Sequence, residues 1–96
     1  MMVLITYDVS TESEGGKKRL RKVAKACQDY GQRVQNSVFE CLLDAAHMRQ
    51  LQAKLEELID KDKDSLRFYY LGDEWRGRVV HIGAKKALDL EGTLIA

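Results

Sequence analysis

Residues 33–43 read RVQNSVFECLL, and how this stretch is divided decides the fold. Val34, Asn36, Val38, Glu40 and Leu42 fall on one face, and Gln35, Ser37, Phe39, Cys41 and Leu43 on the other, because successive side chains of a strand point to opposite sides. Taken whole, the stretch is one long strand. Upstream, residues 3–7 are rich in Val, Ile, Thr and Tyr and read as a first strand. The polar turn STESEGG (residues 10–16) follows, and then a helical pattern in which Leu20, Val23, Ala24, Cys27 and Tyr30 recur at steps of three and four. Gly31 sits where helices commonly end in a left-handed residue. Downstream, Asp44 is placed to cap a second helix with an apolar stripe of Met48, Leu51, Leu55, Leu58 and Ile59. After the charged turn DKDKDS come a strand over residues 65–71 (SLRFYYL), the bend GDEWRG, a fourth strand over residues 78–82 (RVVHI), and a short apolar stretch at 93–95 suited to a sheet edge.

Counted as read, the order is β-α-β-α-β-β plus a tail strand. The order β-α-β-β-α-β follows instead if the stretch between the helices is a split or bent pair, or if the tail supplies an element. With two helices covering one face of a single antiparallel sheet, the economical architecture is a two-layer α+β sandwich of the ferredoxin-like kind. Leu4, Val34, Val38, Leu66, Phe68 and Val79 offer more apolar strand surface than two helices must cover, so a face-to-face homodimer is expected. A chain of 96 residues makes one domain with a modest margin of stability, and no repeat, linker or proline divides it.

Several function classes are set aside by the same reading. No apolar run approaches the ~20 residues of a membrane span. MMVLITYD lacks the basic start and cleavage site of a signal peptide, so a cytoplasmic protein without membrane association is expected. Cys27 and Cys41 have no CxxC or Cys/His company and read as reduced core thiols. His47 and His81 lack partners at metal spacing and read as structural, and no His/Asp partner points to Ser37 as a nucleophile. Neither a KH-type GxxG loop nor the aromatic pattern of an RNA-recognition module is present. Trp75 reads as a packing anchor or dimer contact.

Two features carry chemistry. The net charge of +1 conceals a basic segment: Lys17, Lys18, Arg19, Arg21, Lys22, Lys25 and Arg33 stand against Asp29 alone. Such a run is either a solvated helix face or an anion-binding surface. Arg19 and Arg21 stand near the start of the first helix, whose positive end also favours phosphate. Arg76, Arg78, Lys85 and Lys86 flank the last strand as a second basic patch. The other feature is Asp8, which ends the first strand. It either opens an Asx turn with Ser10 or Thr11, or presents its carboxylate at the rim of the sheet.

LITYDVS, GGKKRLRKVAKACQDYGQRVQNSVFEC, DSLRFYYLG and RVVHIGAK together strongly resemble the CRISPR-associated protein two family, nearly end to end. HIGAK and the EGTLI tail look most like the variants of subtype I-C. The resemblance implies one domain over residues 1–96 and a ferredoxin-like homodimer in which a C-terminal strand, about residues 84–96, is exchanged between subunits. It implies a metal-dependent endonuclease acting on DNA or RNA, with the CRISPR integrase as partner in spacer acquisition and double-stranded DNA as the expected nucleic acid. Asp8 matches the family's metal-binding and catalytic position, with Tyr7 beside it; near a two-fold axis one acid per subunit becomes two, a sparse site suited to Mg²⁺ or Mn²⁺. Arg19, Arg21, Arg33, Arg76 and Arg78 become expected nucleic-acid contacts that bind backbone without reading sequence. A dimeric scaffold bridging integrase dimers without catalysis is the other reading. The family's short acidic or polar pair after YD is replaced here by the longer STESEGG.

Overall fold

The computed structural model describes residues 1–83. Its elements are β1 (Met2–Asp8), α1 (Glu14–Tyr30), β2 (Gln32–Gln35), β3 (Val38–Leu42), α2 (Ala45–Leu58), β4 (Ser65–Gly72) and a 3₁₀ turn, Trp75–Arg78. The order is therefore β-α-β-β-α-β. The strands form one antiparallel sheet ordered β2-β3-β1-β4, the ferredoxin-like arrangement.

The single long strand read over residues 33–43 is corrected to a hairpin. Arg33 pairs with Phe39 and Gln35 with Val38, and the turn places Ser37 at φ +64°. A left-handed serine is uncommon, and no glycine marks the bend. β-favouring residues on both sides hide it from sequence.

Register sorts the two sheet faces. Ile5 lies between Phe39 and Phe68, and Val3 is paired with Cys41 on β3. These residues meet Val23, Ala26 and Cys27 of α1 and Met48, Leu51 and Leu55 of α2 in one core on the helix side. Leu66 and Phe68, counted from sequence within the surplus of apolar strand surface, pack into that same core. Both cysteines are free and buried, and burial pushes each thiol up to about 12. On the opposite face Leu4 lies between Glu40 and Tyr69, and Thr6 between Val38 and Arg67. At one end of this face Met2 and Trp75 form a second small cluster, with Leu42, Leu71 and Val79 against it.

α1 begins earlier than the pattern suggested. Ser13 caps it by accepting from the Gly16 amide at 3.0 Å, which takes both glycines into the first turn. Asp44 caps α2 as expected, accepting from the His47 amide at 2.8 Å. Gly31 is extended, with φ −165°, and is not the left-handed residue expected there.

The expected fourth strand at residues 78–82 is also corrected. The chain makes the 3₁₀ turn and then runs without strand pairing, leaving Val80 82% and Ile82 89% exposed. β-branched residues favour a strand only where a pleated neighbour receives them. The described chain offers RVVHI none. The tail strand, the exchange of residues 84–96, Lys85 and Lys86 lie outside the described residues.

Candidate active site

Asp8 is the last residue of β1 and is exposed, although every second residue before it on the helix side is buried. Parity explains this. Asp8 shares the open face with Leu4 and Thr6, while Tyr7 and Val9 point into the core. Its cross-strand partner is Ser65, the first residue of β4. On the other side the Tyr7 amide donates to the Ser37 carbonyl at 3.1 Å, which brings the β2–β3 turn alongside. The Asp8 carboxylate makes no hydrogen bond or ion pair among the described residues. The Asx turn with Ser10 or Thr11 is therefore not formed.

The Ser10 amide is instead bound by Asp64, at 3.0 Å. Asp64 is the buried acid of the described chain, its side chain 0% exposed. Its two oxygens accept from four donors. Oδ1 takes the Ser10 amide and Arg19 Nη2 at 3.3 Å, and Oδ2 takes Arg19 Nε and the Asp60 amide, both at 2.8 Å. One carboxylate thus ties the exit of β1, the second turn of α1 and the turn before β4. Gly16 completes the junction: a Cβ there would run into the Ser10 carbonyl, so the helix start lies directly on the strand exit.

Burial alone would push the Asp64 carboxyl upward, but the Arg19 guanidinium and the Asp60 and Ser10 amides outweigh it and hold it below the usual carboxylate value. A depressed folded-state value means that this stability is fully present above the unfolded value and is lost as pH falls through the folded one. Asp64→Asn is therefore expected to lower the melting temperature at neutral pH, and the gap from the parent should close as pH drops below ~4. Thermal unfolding across that range reads it directly. A gap that stays constant with pH would show that the charge of Asp64 contributes nothing.

The expected basic contacts divide into three groups. Arg19 is engaged with Asp64. Arg21 is exposed and has no partner among the described residues, as are Lys18 and Lys22 on the same helix, whereas Lys17 and Lys25 are paired with Glu14 and Asp29. Arg33 lies over the Phe39 ring, 5.2 Å from its centroid, and Phe39 stacks on Tyr7 at 6.1 Å. Burial, with the Cys27 thiol behind it, pushes the Tyr7 hydroxyl above its ordinary value despite hydrogen bonding to Ser37 and Arg33. Tyr7, Arg33 and Phe39 thus form a packed group that reaches Asp8 through its chain neighbour Tyr7.

Arg76 and Arg78 stand elsewhere. They follow the end of β4, where Gly72 pairs with Met2, six residues and therefore about 20 Å along the sheet from Asp8. Arg76 lies over the Trp75 ring at 4.6 Å, and Arg78 donates to the Leu71 carbonyl at 2.8 Å. His47 bonds Asp44 at 2.9 Å and meets the edge of Tyr30, a structural role. Asp64 was missed by sequence reading. It stood among five acids of a polar turn and its neighbourhood, and only the strand start at Ser65 marks it out.

No group of three or more His, Cys, Asp or Glu gathers among the described residues. Among the described residues Asp8 therefore has no ready-made set of protein ligands around it. That donor chemistry does not fit an all-protein cage, but it fits a hard ion that keeps several waters and takes its remaining ligands from phosphate and a second copy. Among the described residues no helix is long and apolar enough to cross a membrane.

Comparison with known proteins agrees with this fold. A family model described as CRISPR associated protein Cas2 matches residues 1–79. The chain is 63% identical over 95 residues to a protein of Halalkalibacterium halodurans named CRISPR-associated endonuclease Cas2, covering 99% of each chain. It is 62% identical over 95 residues to one of Nitratidesulfovibrio vulgaris named CRISPR-associated endoribonuclease Cas2, covering 99% of this chain and 93% of that one. The crystal structure of Streptococcus pyogenes Cas2 at pH 6.5 superposes with a TM-score of 0.76 at 57% identity, over 86% of this chain and 100% of the other. A chain of a structure described as a partial Cas6-RT-Cas1--Cas2 complex superposes with a TM-score of 0.65 at 27% identity, over 93% and 98%.

Proposed function

The chain belongs to the CRISPR-associated Cas2 family, and on that premise we propose that it is a metal-dependent endonuclease hydrolysing phosphodiester bonds of DNA, taking part in spacer acquisition beside the CRISPR integrase. The observation that supports this most is Asp8: an exposed carboxylate at a strand end, without a side-chain partner among the described residues, on a backbone held on both sides. A free carboxylate on a rigid element is what a catalytic ligand requires.

The working unit in this proposal is a homodimer. Leu4, Val38 and Tyr69 lie on the face that the helices leave uncovered, and Val80 and Ile82 stand exposed beyond β4. A two-fold axis near this face would bring Asp8 toward its copy. When bound, Mg²⁺, or Mn²⁺ in its place, supplies Lewis-acid polarisation of a phosphate oxygen and a more acidic water. Asp8 holds that ion. Tyr7, Phe39 and Arg33 keep the end of β1 from shifting beneath it. Lys18, Arg21 and Lys22, charged and unpaired among the described residues, hold the polyanion by its backbone, a salt-sensitive attraction without base readout.

A second reading has its own support. The likeness to a chain from a complex that includes Cas1 favours a dimeric scaffold that bridges integrase dimers, with Asp8 incidental. Of the two close relatives one is named an endoribonuclease and the other an endonuclease without a stated substrate, so the assay sets duplex DNA and RNA side by side. Asp8→Ala is expected to lower Mg²⁺-dependent cleavage at least ~100-fold, about 2.7 kcal/mol of activation free energy, with DNA affinity retained. Cleavage at unchanged specific activity would remove Asp8 from the chemistry. Spacer acquisition that survives the substitution in cells would favour the scaffold.

A further inference from the structure

We infer that Asp64 is a positioning residue for Asp8, acting through its pairing with Arg19; the inference rests on the reading of Asp8 as the metal ligand. Among the described residues Asp8 makes no side-chain contact that would orient it, yet the backbone that follows it and the start of the strand opposite are both tied to one neighbouring carboxylate. Asp64 precedes Ser65, the register partner of Asp8, and also binds the Ser10 amide two residues beyond Asp8. Its hold therefore closes a short loop of structure around the acid: β1 to Ser10, Ser10 to Asp64, Asp64 to Ser65, and Ser65 back across the ladder.

The strength of that loop depends on Arg19. A carboxylate with 0% exposure is costly to bury unless its lone pairs are used, and here the guanidinium takes both oxygens while two amides take the rest. Arg19 in turn is carried by α1, whose first turn lies against the Ser10 carbonyl at Gly16. Three segments distant in sequence meet at one charge pair, and the segment with the free acid is one of them. Residues that orient a ligand from behind commonly change metal affinity or activity 10- to 100-fold when replaced.

The test uses the full chain with Mn²⁺ as probe. Amide resonances are followed by NMR during titration of the parent, Asp64→Asn and Arg19→Lys, alongside melting temperature and cleavage kinetics on duplex DNA. In the parent, paramagnetic broadening is expected to begin at Asp8. In Asp64→Asn its midpoint should rise roughly 10-fold, with kcat reduced and KM for DNA little changed. Arg19→Lys, which keeps the charge but loses the fork, should shift the midpoint in the same direction and serves alone if Asp64→Asn does not fold. A lower melting temperature with the midpoint and kcat of the parent would reduce Asp64 to a structural residue and overturn the inference. Absence of broadening at Asp8 in the parent would instead sink the metal reading. Hydrogen exchange at the Ser10 amide then decides the positioning by itself: faster exchange in the variants supports it, and parental exchange rejects it.

Discussion

Gly31→Ala is expected to cost at least ~3 kcal/mol, lowering the melting temperature by roughly 10–25 °C. Backbone torsion is not the cause, because φ −165° is open to any residue. The cause is proximity. A Cβ on Gly31 would overlap the Glu40 carbonyl and stand 2.5 Å from Cys41 Sγ and 2.9 Å from its Cα. Two of those atoms are backbone of β3, and the third is the side chain of a fully buried cysteine, so none can swing away as the end of a long side chain could. Relief requires α1 to lift from the sheet, which would open contacts along a helix that buries Val23, Ala26 and Cys27. A domain of this size has ~5–15 kcal/mol in all, so the loss is a large part of it. Chemical denaturation of the variant measures it, and a change under 1 kcal/mol would show that the junction is looser than the structure describes.

Phe39→Ala is expected to be comparably severe, about 3–5 kcal/mol. Phe39, the second residue of β3, is fully buried, stacked on Tyr7 and lying beneath Arg33. Truncation leaves a cavity walled by strands on one side and helices on the other, neither able to collapse into it without breaking register. The cavity would also remove the ring packed against Tyr7, the residue before Asp8, so the folded fraction should cleave more slowly than its abundance accounts for. Phe39→Leu keeps most of the volume and should cost less than half as much. If Phe39→Ala unfolds with the parent's midpoint, the ring is not the centre of the core that its burial indicates.

From its residues Asp8 was either the start of an Asx turn or a carboxylate at the rim of the sheet, and only the family resemblance favoured the second. Its cross-strand neighbour was not legible, since pairing of residue 8 with 65 depends on how the whole sheet closes. Arg19 and Arg21 looked alike, two arginines separated by one residue on a basic helix. A separation of two turns them through most of a half-circle, so one meets the buried carboxylate and the other faces outward. Arg76 and Arg78 belonged to the same composition, yet the antiparallel run of β4 carries them to the far end of the sheet.

By itself the sequence determined the local elements and their sides. Periodicity of apolar residues set two helices and their buried stripes, Asp44 set a helix start, and alternation along residues 33–43 separated two faces without deciding which meets the helices. Tertiary structure alone decided the rest. Residues 33–43 became two strands because β1 accepts Val38–Leu42 as its neighbour, leaving Gln32–Gln35 to fold back on the outside. RVVHI found no neighbour within residues 1–83 and stayed unpaired. Asp64 became a buried anchor because three distant segments converge on it, and convergence is a property of the closed sheet that no local run of residues can encode.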